Sequence, residues 1–394
     1  MLRVVVVASA PGADGTGVAD LLRVSAEPVH APIAGIVLDA GAGSTPAARA
    51  ARERLRLHLR AHGGCLSCAL RGDLREQLRA AAARGARTAV VGLPPGVDPA
   101  TLLCDGDGDL LTDAPATLSS VVGVVDAATL TTDLTSEATL AEVGAALTRD
   151  DDRRVADVLI GLVEDADVVA LAVSSRPGAS GHARGEALVR ALNPTAAVLP
   201  AAQLGLEVAL EAASLRGDGP PLLRWHGNDH RIARSRLGSG VELLRYKARR
   251  PLHPERFAAL LEEPDDDVVR STGTLWLATR PDLAIAWDQR GPSLVLEAAH
   301  RWVAADPTGP GRRHPEHAQE LTEEWHPYYG DRAQRMAFVG LGLDAEALTD
   351  AFDRCLLTDR ELAVGVEGWA HLPDPLPPLP LPPEDDASGT QRTA

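Results

Sequence analysis

The sequence predicts an α/β protein in which a mostly parallel, helix-covered sheet is followed by a smaller α+β domain. The first half of the chain alternates short apolar runs with amphipathic stretches, which is the pattern of repeated β-α units. Several of these runs are almost continuously apolar, as is typical of strands buried on both faces. After a break rich in Gly, Pro, His and Arg, most remaining elements are strand-like and favour an antiparallel sheet.

Each element follows from this alternation. In the first half, apolar runs predict strands at residues 2–8, 33–38, 88–93, 118–126, 167–173 and 196–200. The amphipathic stretches between them predict helices at residues 18–24, 47–61, 70–83, 138–147, 154–164, 184–192 and 204–213. In the second half, strands are predicted at 241–248, 268–279, 283–288, 294–298 and 336–342, with helices at 253–262 and 344–355.

The chain has 394 residues, enough for two domains that each bury a core of their own. We place the first domain at residues 1–214, a linker at 215–240 and the second domain at 241–370. Closely spaced prolines followed by a polar run predict that residues 371–394 form a disordered tail.

Composition and hydropathy argue against two classes of partner, DNA and membranes. A formal charge of −16 opposes the broad basic surface that nucleic acid requires, so we expect no DNA partner. No apolar run reaches the roughly 18 residues of a membrane helix, so we expect no membrane partner. Four cysteines do not resemble a disulfide framework and the amino terminus lacks a secretory signal, so we expect a cytoplasmic protein. The sequence leaves the oligomeric state open, a homo-oligomer included.

Two thiols stand three residues apart behind a pair of glycines, in the segment HGGCLSC at 62–68. Cys65 and Cys68 can hold one soft metal ion or form one reducible disulfide, and a pair of structural thiols is the third alternative. His58 and His62 share one face of a helix that runs into the glycines, so they can complete a tetrahedral zinc shell. The sequence therefore predicts zinc at Cys65, Cys68, His62 and His58.

A glycine-rich turn follows the first strand, where a phosphate-binding loop belongs, and offers Gly12, Gly15 and Thr16 as cofactor-binding residues. The loop lacks the lysine that would hold the terminal phosphates, because the one lysine of the chain is Lys247. No Asn-Lys pair for reading a guanine base is present, and Asp98 comes several residues late for a magnesium ligand. We therefore expect neither GTP binding nor GTP hydrolysis.

Several motifs together resemble the CobW-like family of P-loop GTPases, which are associated with zinc and cobalt handling. The resemblance is carried by the first strand with its turn, GCLSCALRGDL at 64–74, VVGVVDA at 121–127, VADVL at 155–159, DADVV at 165–169, LNP at 192–194, LHPER at 252–256 and LWLATRPD at 275–282. The family's metal motif is Gly-Cys-x-Cys-Cys, and this chain has Ser67 in place of the middle cysteine. That change and the missing lysine are similar to a narrower branch from GC-rich bacteria, described as recruiting a ribosome hibernation factor under zinc limitation.

The resemblance implies a P-loop GTPase-like first domain, a CobW C-terminal second domain and a link to zinc. It implies an adaptor whose partners are a ribosome hibernation factor and, through it, the small ribosomal subunit. Two alternatives stay open, a GTP-dependent zinc metallochaperone and a thiol-disulfide redox protein. In the second domain, Trp276 and Arg280 are expected to organise the core and a turn. The aromatic loop at 325–332 is expected to pack against the small sheet, with a partner-binding surface as the alternative.

Overall fold

Two β-sheets organise the chain, each covered by helices. The computed structural model describes residues 1–13, 15–30, 33–38, 46–61, 66–99, 116–146, 151–173, 181–212, 232–263, 267–305 and 325–380. Within these residues no helix is long and apolar enough to cross a membrane.

The first sheet is parallel throughout its described strands. Its strands are β1 (Leu2–Ser9), β2 (Ile33–Val37), β3 (Thr88–Gly92), β4 (Ala116–Asp126), β5 (Val168–Ala172) and β6 (Ala197–Pro200), arranged in the order β2-β3-β1-β4-β5-β6. In the central strand β1, Val4 and Val6 face one apolar core, whereas Val5 and Val7 face the other. This alternation explains the continuous apolar run in the sequence, since both faces of the sheet are buried.

Helices cover both faces of the first sheet. They are α1 (Gly15–His30), α2 (Pro46–Ala61), α3 (Leu66–Ala83), α4 (Leu130–Leu134), α5 (Val155–Glu164), α6 (His182–Leu192) and α7 (Leu206–Glu211). Leu22 of α1 packs in the core with Val5, whereas Leu70 and Leu159 pack in the core with Val4. The helix-covered parallel sheet confirms the predicted fold class of the first domain.

The second sheet is antiparallel. Its strands are β7 (Ile232–Gly238), β8 (Val241–Ala248), β9 (Val268–Leu275), β10 (Leu283–Arg290), β11 (Ser293–Arg301) and β12 (Gln334–Leu341), arranged in the order β11-β10-β9-β12-β8-β7. The helices of this unit are α8 (Pro254–Leu261), α9 (Ala345–Cys355), α10 (Asp359–Ala363) and α11 (Gly365–Trp369). The smaller α+β domain predicted from the sequence is therefore confirmed.

Each face of the second sheet has a different neighbour. On one face, Leu244 and Phe338 pack with Phe352 of α9 in a core of the second domain. On the other face, Leu243 and Val339 belong to the same apolar cluster as the first domain's sheet and helices. The two domains consequently share a buried apolar interface.

One predicted helix, at 138–147, is wrong over its described part. Residues 140–144 form a turn instead, and Thr139 forms an antiparallel bridge with Arg154. The Thr139 hydroxyl accepts from the Glu142 backbone N–H at 3.3 Å, and the Glu142 carboxylate accepts from the Thr139 backbone N–H at 2.8 Å. Gly144 has a φ of 73°, which ends any helical run. The sequence also failed to predict α4, which lies just before this turn.

The predicted linker was wrong at its carboxyl end. Residues 232–238 form β7, an edge strand that pairs with β8 along the second sheet, so this stretch belongs to the second domain. Its first two residues are half-buried and the other five are exposed, so the strand has no alternating apolar pattern in the sequence. Residues 215–231 of the predicted linker lie outside the described residues.

The predicted disordered tail was wrong over its first ten residues. Residues 371–380 lie along the second domain, where the Asp374 carboxylate accepts hydrogen bonds from Thr279 and Arg280. Leu376 and Leu379 pack against the domain's core. These few contacts hold an extended proline-rich segment that composition alone predicts to be unstructured. Residues 381–394 lie outside the described residues.

Candidate functional site

The glycine-rich turn connects β1 to α1 at the carboxyl edge of the first sheet. Gly12 has a φ of 84°, a backbone conformation that favours glycine. The Ala10 N–H donates to the Val124 carbonyl at 2.9 Å, and the Ala13 N–H donates to the Ala10 carbonyl at 3.1 Å. The Gly15 N–H donates to the Ala13 carbonyl at 3.1 Å. Three amides that could face a phosphate are thus bonded to carbonyl groups of the chain.

Ser9 and Gly15 fit against each other inside this turn. In the phosphate-loop pattern G-x-x-x-x-G-K-[ST], with Thr16 as the last residue, Ser9 stands at the first glycine and Gly15 at the lysine. A Cβ atom built on Gly15 would lie 2.6 Å from both Cβ and Oγ of Ser9. The Ser9 hydroxyl is buried and has no hydrogen-bond partner among the described residues. The Ser9 side chain therefore fills the space where a side chain at position 15 would begin.

The loop after β3 passes next to this turn and carries Asp98. The Gly96 N–H donates to the Ser9 carbonyl at 3.3 Å, which joins the two loops. Asp98 lies against α5: its Oδ2 is 3.7 Å from the position of a Cβ on Gly161. Its carboxyl group hydrogen-bonds with that of Asp165 at the end of α5. Partial desolvation and the neighbouring charges of Asp98 and Glu164 raise the pKa of Asp165 to about 7.

The thiol segment connects α2 to α3, which pack side by side. A buried ion pair joins the two helices: the Arg54 Nε donates to the Asp73 Oδ1 at 2.8 Å, and Asp73 is 1% exposed. Gln77 donates to the same carboxylate oxygen at 3.4 Å. The Arg54–Asp73 contact joins α2 to α3, the helices on either side of the thiol segment.

Two of the four predicted zinc ligands lie among the described residues. His58 is in the last turn of α2, where its Nε2 lies 3.4 Å from the Glu76 Oε2, and Cys68 is half-buried in the first turn of α3. Cys65 and His62 lie outside the described residues. Within the described part of the chain, no group of three or more His, Cys, Asp or Glu side chains is arranged to hold a metal ion. The predicted zinc set of Cys65, Cys68, His62 and His58 stays a prediction.

Cys355, the other cysteine in the described part of the chain, is structural. Its Sγ donates to the carbonyls of Arg256 and Ala351 at 3.4 and 3.3 Å. Burial raises the pKa of the Cys355 thiol to about 11, so the thiolate form that nucleophiles and metal ligands need is suppressed.

The aromatic loop of the second domain packs partly inward. The His326 Nδ1 accepts hydrogen bonds from the backbone N–H groups of Tyr328 and Tyr329 at 3.1 and 3.2 Å. Tyr329 packs edge-on against Trp276, with ring centroids 5.7 Å apart. Trp276 is 2% exposed, as expected for a residue that organises the core. Tyr328 is 68% exposed and Trp325 44%, so the loop also presents two aromatic rings to solvent.

Comparison with known proteins places the chain in a family. Residues 241–356 match the family described as Cobalamin synthesis protein cobW C-terminal domain. The Mycobacterium tuberculosis protein named Zinc chaperone Rv0106 is 30% identical over 333 residues, which span 79% of this chain and 77% of that protein. The chain belongs to the CobW family.

Two further similar proteins have names or descriptions that refer to zinc. Zinc-regulated GTPase metalloprotein activator 1 of Dictyostelium discoideum is 26% identical, over 79% of this chain and 69% of that protein. A solved structure described as Zn(II)-bound YjiA GTPase from E. coli is 12% identical, with 90% of this chain and 99% of that chain covered and a TM-score of 0.33.

This CobW family member also contains a charge network that sequence reasoning missed. Arg270 of β9 is 1% exposed and donates to both carboxylate oxygens of Glu164 in α5, at 2.8 and 3.2 Å. Arg270 also bonds to Asp288, and Arg290 donates to Asp288 at 3.1 Å. The ion pair crosses the domain interface. Its signal in the sequence is a glutamate that ends the apolar segment VLIGLVE and an arginine within the predicted strand VVRSTGTL.

Proposed function

We propose that this CobW family member is a zinc-linked adaptor that does not hydrolyse GTP. In this proposal it recruits a ribosome hibernation factor, and through it the small ribosomal subunit, when zinc is scarce. Zinc is bound or sensed by Cys65 and Cys68, with His58 and His62 as the further ligands. The net charge of −16 favours contact with a protein partner over direct contact with ribosomal RNA.

The observation that carries this proposal is the fit between Ser9 and Gly15. A phosphate loop needs space for a lysine side chain at the position of Gly15, and here a Cβ atom would meet Ser9 at 2.6 Å. The chain also has no lysine other than Lys247, in β8, to replace it. Without that cation, the charge that develops on a transferred phosphoryl group loses its main stabilising partner from the loop.

The thiol segment supports the zinc part of the proposal. The Arg54–Asp73 ion pair joins α2, which carries His58, to α3, which carries Cys68. Thiolate sulfur and imidazole nitrogen are the donors that zinc prefers in proteins. The zinc association of this family is stated in the names of two relatives.

Zinc content tests the metal site. The purified full chain is expected to hold close to one zinc ion per chain, measured by elemental analysis after dialysis. Replacing Cys65 and Cys68 together by Ser is expected to abolish it, because two of four donors are lost. Cys104→Ser makes the same chemical change at a cysteine outside the predicted set and is expected to keep the zinc. Wild-type protein that stays metal-free under reducing conditions would refute the site.

Affinity capture tests the adaptor. The tagged chain is captured from zinc-starved and zinc-replete cells, and ribosomal subunits and hibernation factor are quantified by mass spectrometry. We expect the hibernation factor and the small subunit in the zinc-starved sample and their loss in the zinc-replete one. Equal recovery from both states would contradict zinc-dependent recruitment. Recovery of one metalloenzyme in place of the ribosome would favour a chaperone.

A GTP-dependent zinc metallochaperone is the second candidate, favoured by the relative named as a zinc-regulated GTPase metalloprotein activator. Calorimetry with GTP and magnesium separates the two. The adaptor proposal predicts no binding at micromolar GTP and no turnover. Micromolar affinity together with magnesium-dependent hydrolysis would establish the second candidate and overturn the first.

A further inference from the structure

Residues 371–380, HLPDPLPPLP, form an extended strap on the surface of the second domain. Leu372, Asp374, Leu376 and Leu379 are half-buried against the domain, whereas the prolines of the strap are exposed. These inward side chains are two, two and three residues apart, so one side of the extended segment lies against the domain. The strap begins after residue 356, where the match to the family ends.

Arg280 supplies four of the five hydrogen bonds that Thr279 and Arg280 make to the strap. The Arg280 Nε and Nη2 donate to the two Asp374 oxygens at 2.9 and 3.1 Å. The same guanidinium donates to the carbonyls of Pro377 and Leu376 at 2.9 and 2.8 Å. Thr279 adds a hydrogen bond to Asp374 at 2.7 Å. The ion pair is largely buried, with side chains 15% and 19% exposed, and Arg280 holds the pKa of Asp374 below its usual range.

The strap is held by few other contacts. Beyond Leu372, its hydrogen bonds to the rest of the described residues all involve Thr279 or Arg280. Its prolines have no N–H to donate, and the Leu376 N–H donates to Asp374 within the strap itself. No side chain of the strap is fully buried. A segment with so little burial and one polar anchor can detach while the domain stays folded.

We propose that the turn at Thr279 and Arg280, with the apolar surface beside it, is a binding site for extended proline-rich segments that carry a carboxylate two residues before a leucine. Residues 372–379 occupy this site in the free protein, and a protein partner with such a segment displaces them. A partner segment would share three features with the strap: a carboxylate that receives the bidentate contact of Arg280, backbone carbonyls that accept from the same guanidinium, and two leucines that pack on the domain's core. The site is independent of zinc and of the thiol segment.

In the wild type, the strap competes with any added peptide for the site at Thr279 and Arg280. A tethered segment competes at an effective concentration in the millimolar range, so a free peptide binds the wild type only weakly. Asp374→Arg places two positive charges against each other and releases the strap. Fluorescence anisotropy with a labelled synthetic peptide of residues 371–380 then measures binding to the full chain.

We expect the Asp374→Arg protein to bind the peptide at least about tenfold more tightly than the wild type does, because the tethered competitor is removed. Asp350→Arg makes the same charge change at an exposed position of α9 and is expected to behave like the wild type. A peptide with Asn in place of Asp374 is expected to bind about tenfold more weakly, since a charge-assisted contact is lost. Adding Arg280→Ala to Asp374→Arg is expected to abolish binding.

Equal peptide affinity for wild type and Asp374→Arg would overturn the proposal, as would peptide binding that is insensitive to Arg280→Ala. Circular dichroism checks that the variants are folded. If Asp374→Arg fails to fold, Leu376→Ala weakens the strap without a new charge and gives the same comparison. In the wild type, excess unlabelled peptide is expected to accelerate proteolysis within residues 371–380, and unchanged cleavage would contradict displacement.

Discussion

We predict that the ion pair between Glu164 and Arg270 stabilises the interface between the two domains. Glu164→Ala removes two charge-assisted hydrogen bonds, of 2.8 and 3.2 Å, from a guanidinium that is 1% exposed. At about 1.5 kcal/mol each, their loss lowers the free energy of unfolding by about 3 kcal/mol. This is the lower end of the cost of breaking a buried pair, because Asp288 still contacts Arg270.

Urea unfolding measures this loss with two signals. All six tryptophans lie at or beyond residue 225, and the first 214 residues contain no Trp, Tyr or Phe. Tryptophan fluorescence therefore follows the second domain and the region before it, whereas far-ultraviolet circular dichroism follows both domains. In the wild type the shared apolar interface is expected to make the two transitions coincide, and in Glu164→Ala they are expected to separate.

Glu186→Ala is the matched control. Glu186 pairs with Arg190 on the exposed surface of α6, where the side chains are 37% and 52% exposed, so a loss below about 0.5 kcal/mol is expected. Replacing both partners, Glu164→Leu with Arg270→Met, is expected to recover most of the stability, because no buried charge is left unpaired. A Glu164→Ala protein as stable as Glu186→Ala, with coincident transitions, would refute the reasoning.

Three further predictions concern single side chains. Gly15→Ala is expected to lower the free energy of unfolding by about 1–3 kcal/mol, because its Cβ would lie 2.6 Å from Ser9. Adding Ser9→Gly to Gly15→Ala is expected to restore the stability. Equal melting temperatures for the wild type and Gly15→Ala would contradict this prediction. Asp165 has a pKa raised to about 7, so its penalty to stability appears as the pH rises from about 4 to 7 and is complete above pH 7. Because the Asp165 side chain is partly exposed to solvent, Asp165→Asn is expected to gain less than about 1 kcal/mol above pH 7 and nothing at pH 3.5 in thermal melts. A gain that does not depend on pH would argue against the assignment. A hydrogen-bonded ion pair with Arg256 lowers the pKa of Glu361 to about 2. The stabilising effect of the Glu361 carboxylate is therefore present above about pH 4.5 and is lost as the pH falls toward 2. Glu361→Gln is expected to lower the free energy of unfolding by about 1 kcal/mol at pH 7, and a loss that persists at pH 2 would contradict the ion pair.

Local sequence patterns predicted the regular elements well and the irregular ones poorly. The apolar run at residues 2–8 predicts a strand, and in the structure Val4 to Val7 of β1 are all buried, on alternating faces of the sheet. The stretch at 138–147 has helical periodicity, yet Thr139 and Glu142 close a turn and the backbone pairs with residues 153–155. The strap at 371–380 looks unstructured because its order depends on Arg280, which is distant in sequence. Contacts of this kind have no local signal.

The sequence by itself determined the chemical inventory of this protein: no lysine in its glycine-rich turn, two thiols behind a glycine pair, and the motifs of the CobW family. Only the tertiary structure decided how some of these residues are used. In the folded chain Ser9 packs against Gly15, and Glu164 pairs with Arg270, 106 residues away in the sequence. The physical reason is that burial and pairing depend on which distant segments meet, whereas composition and periodicity report only on neighbours along the chain.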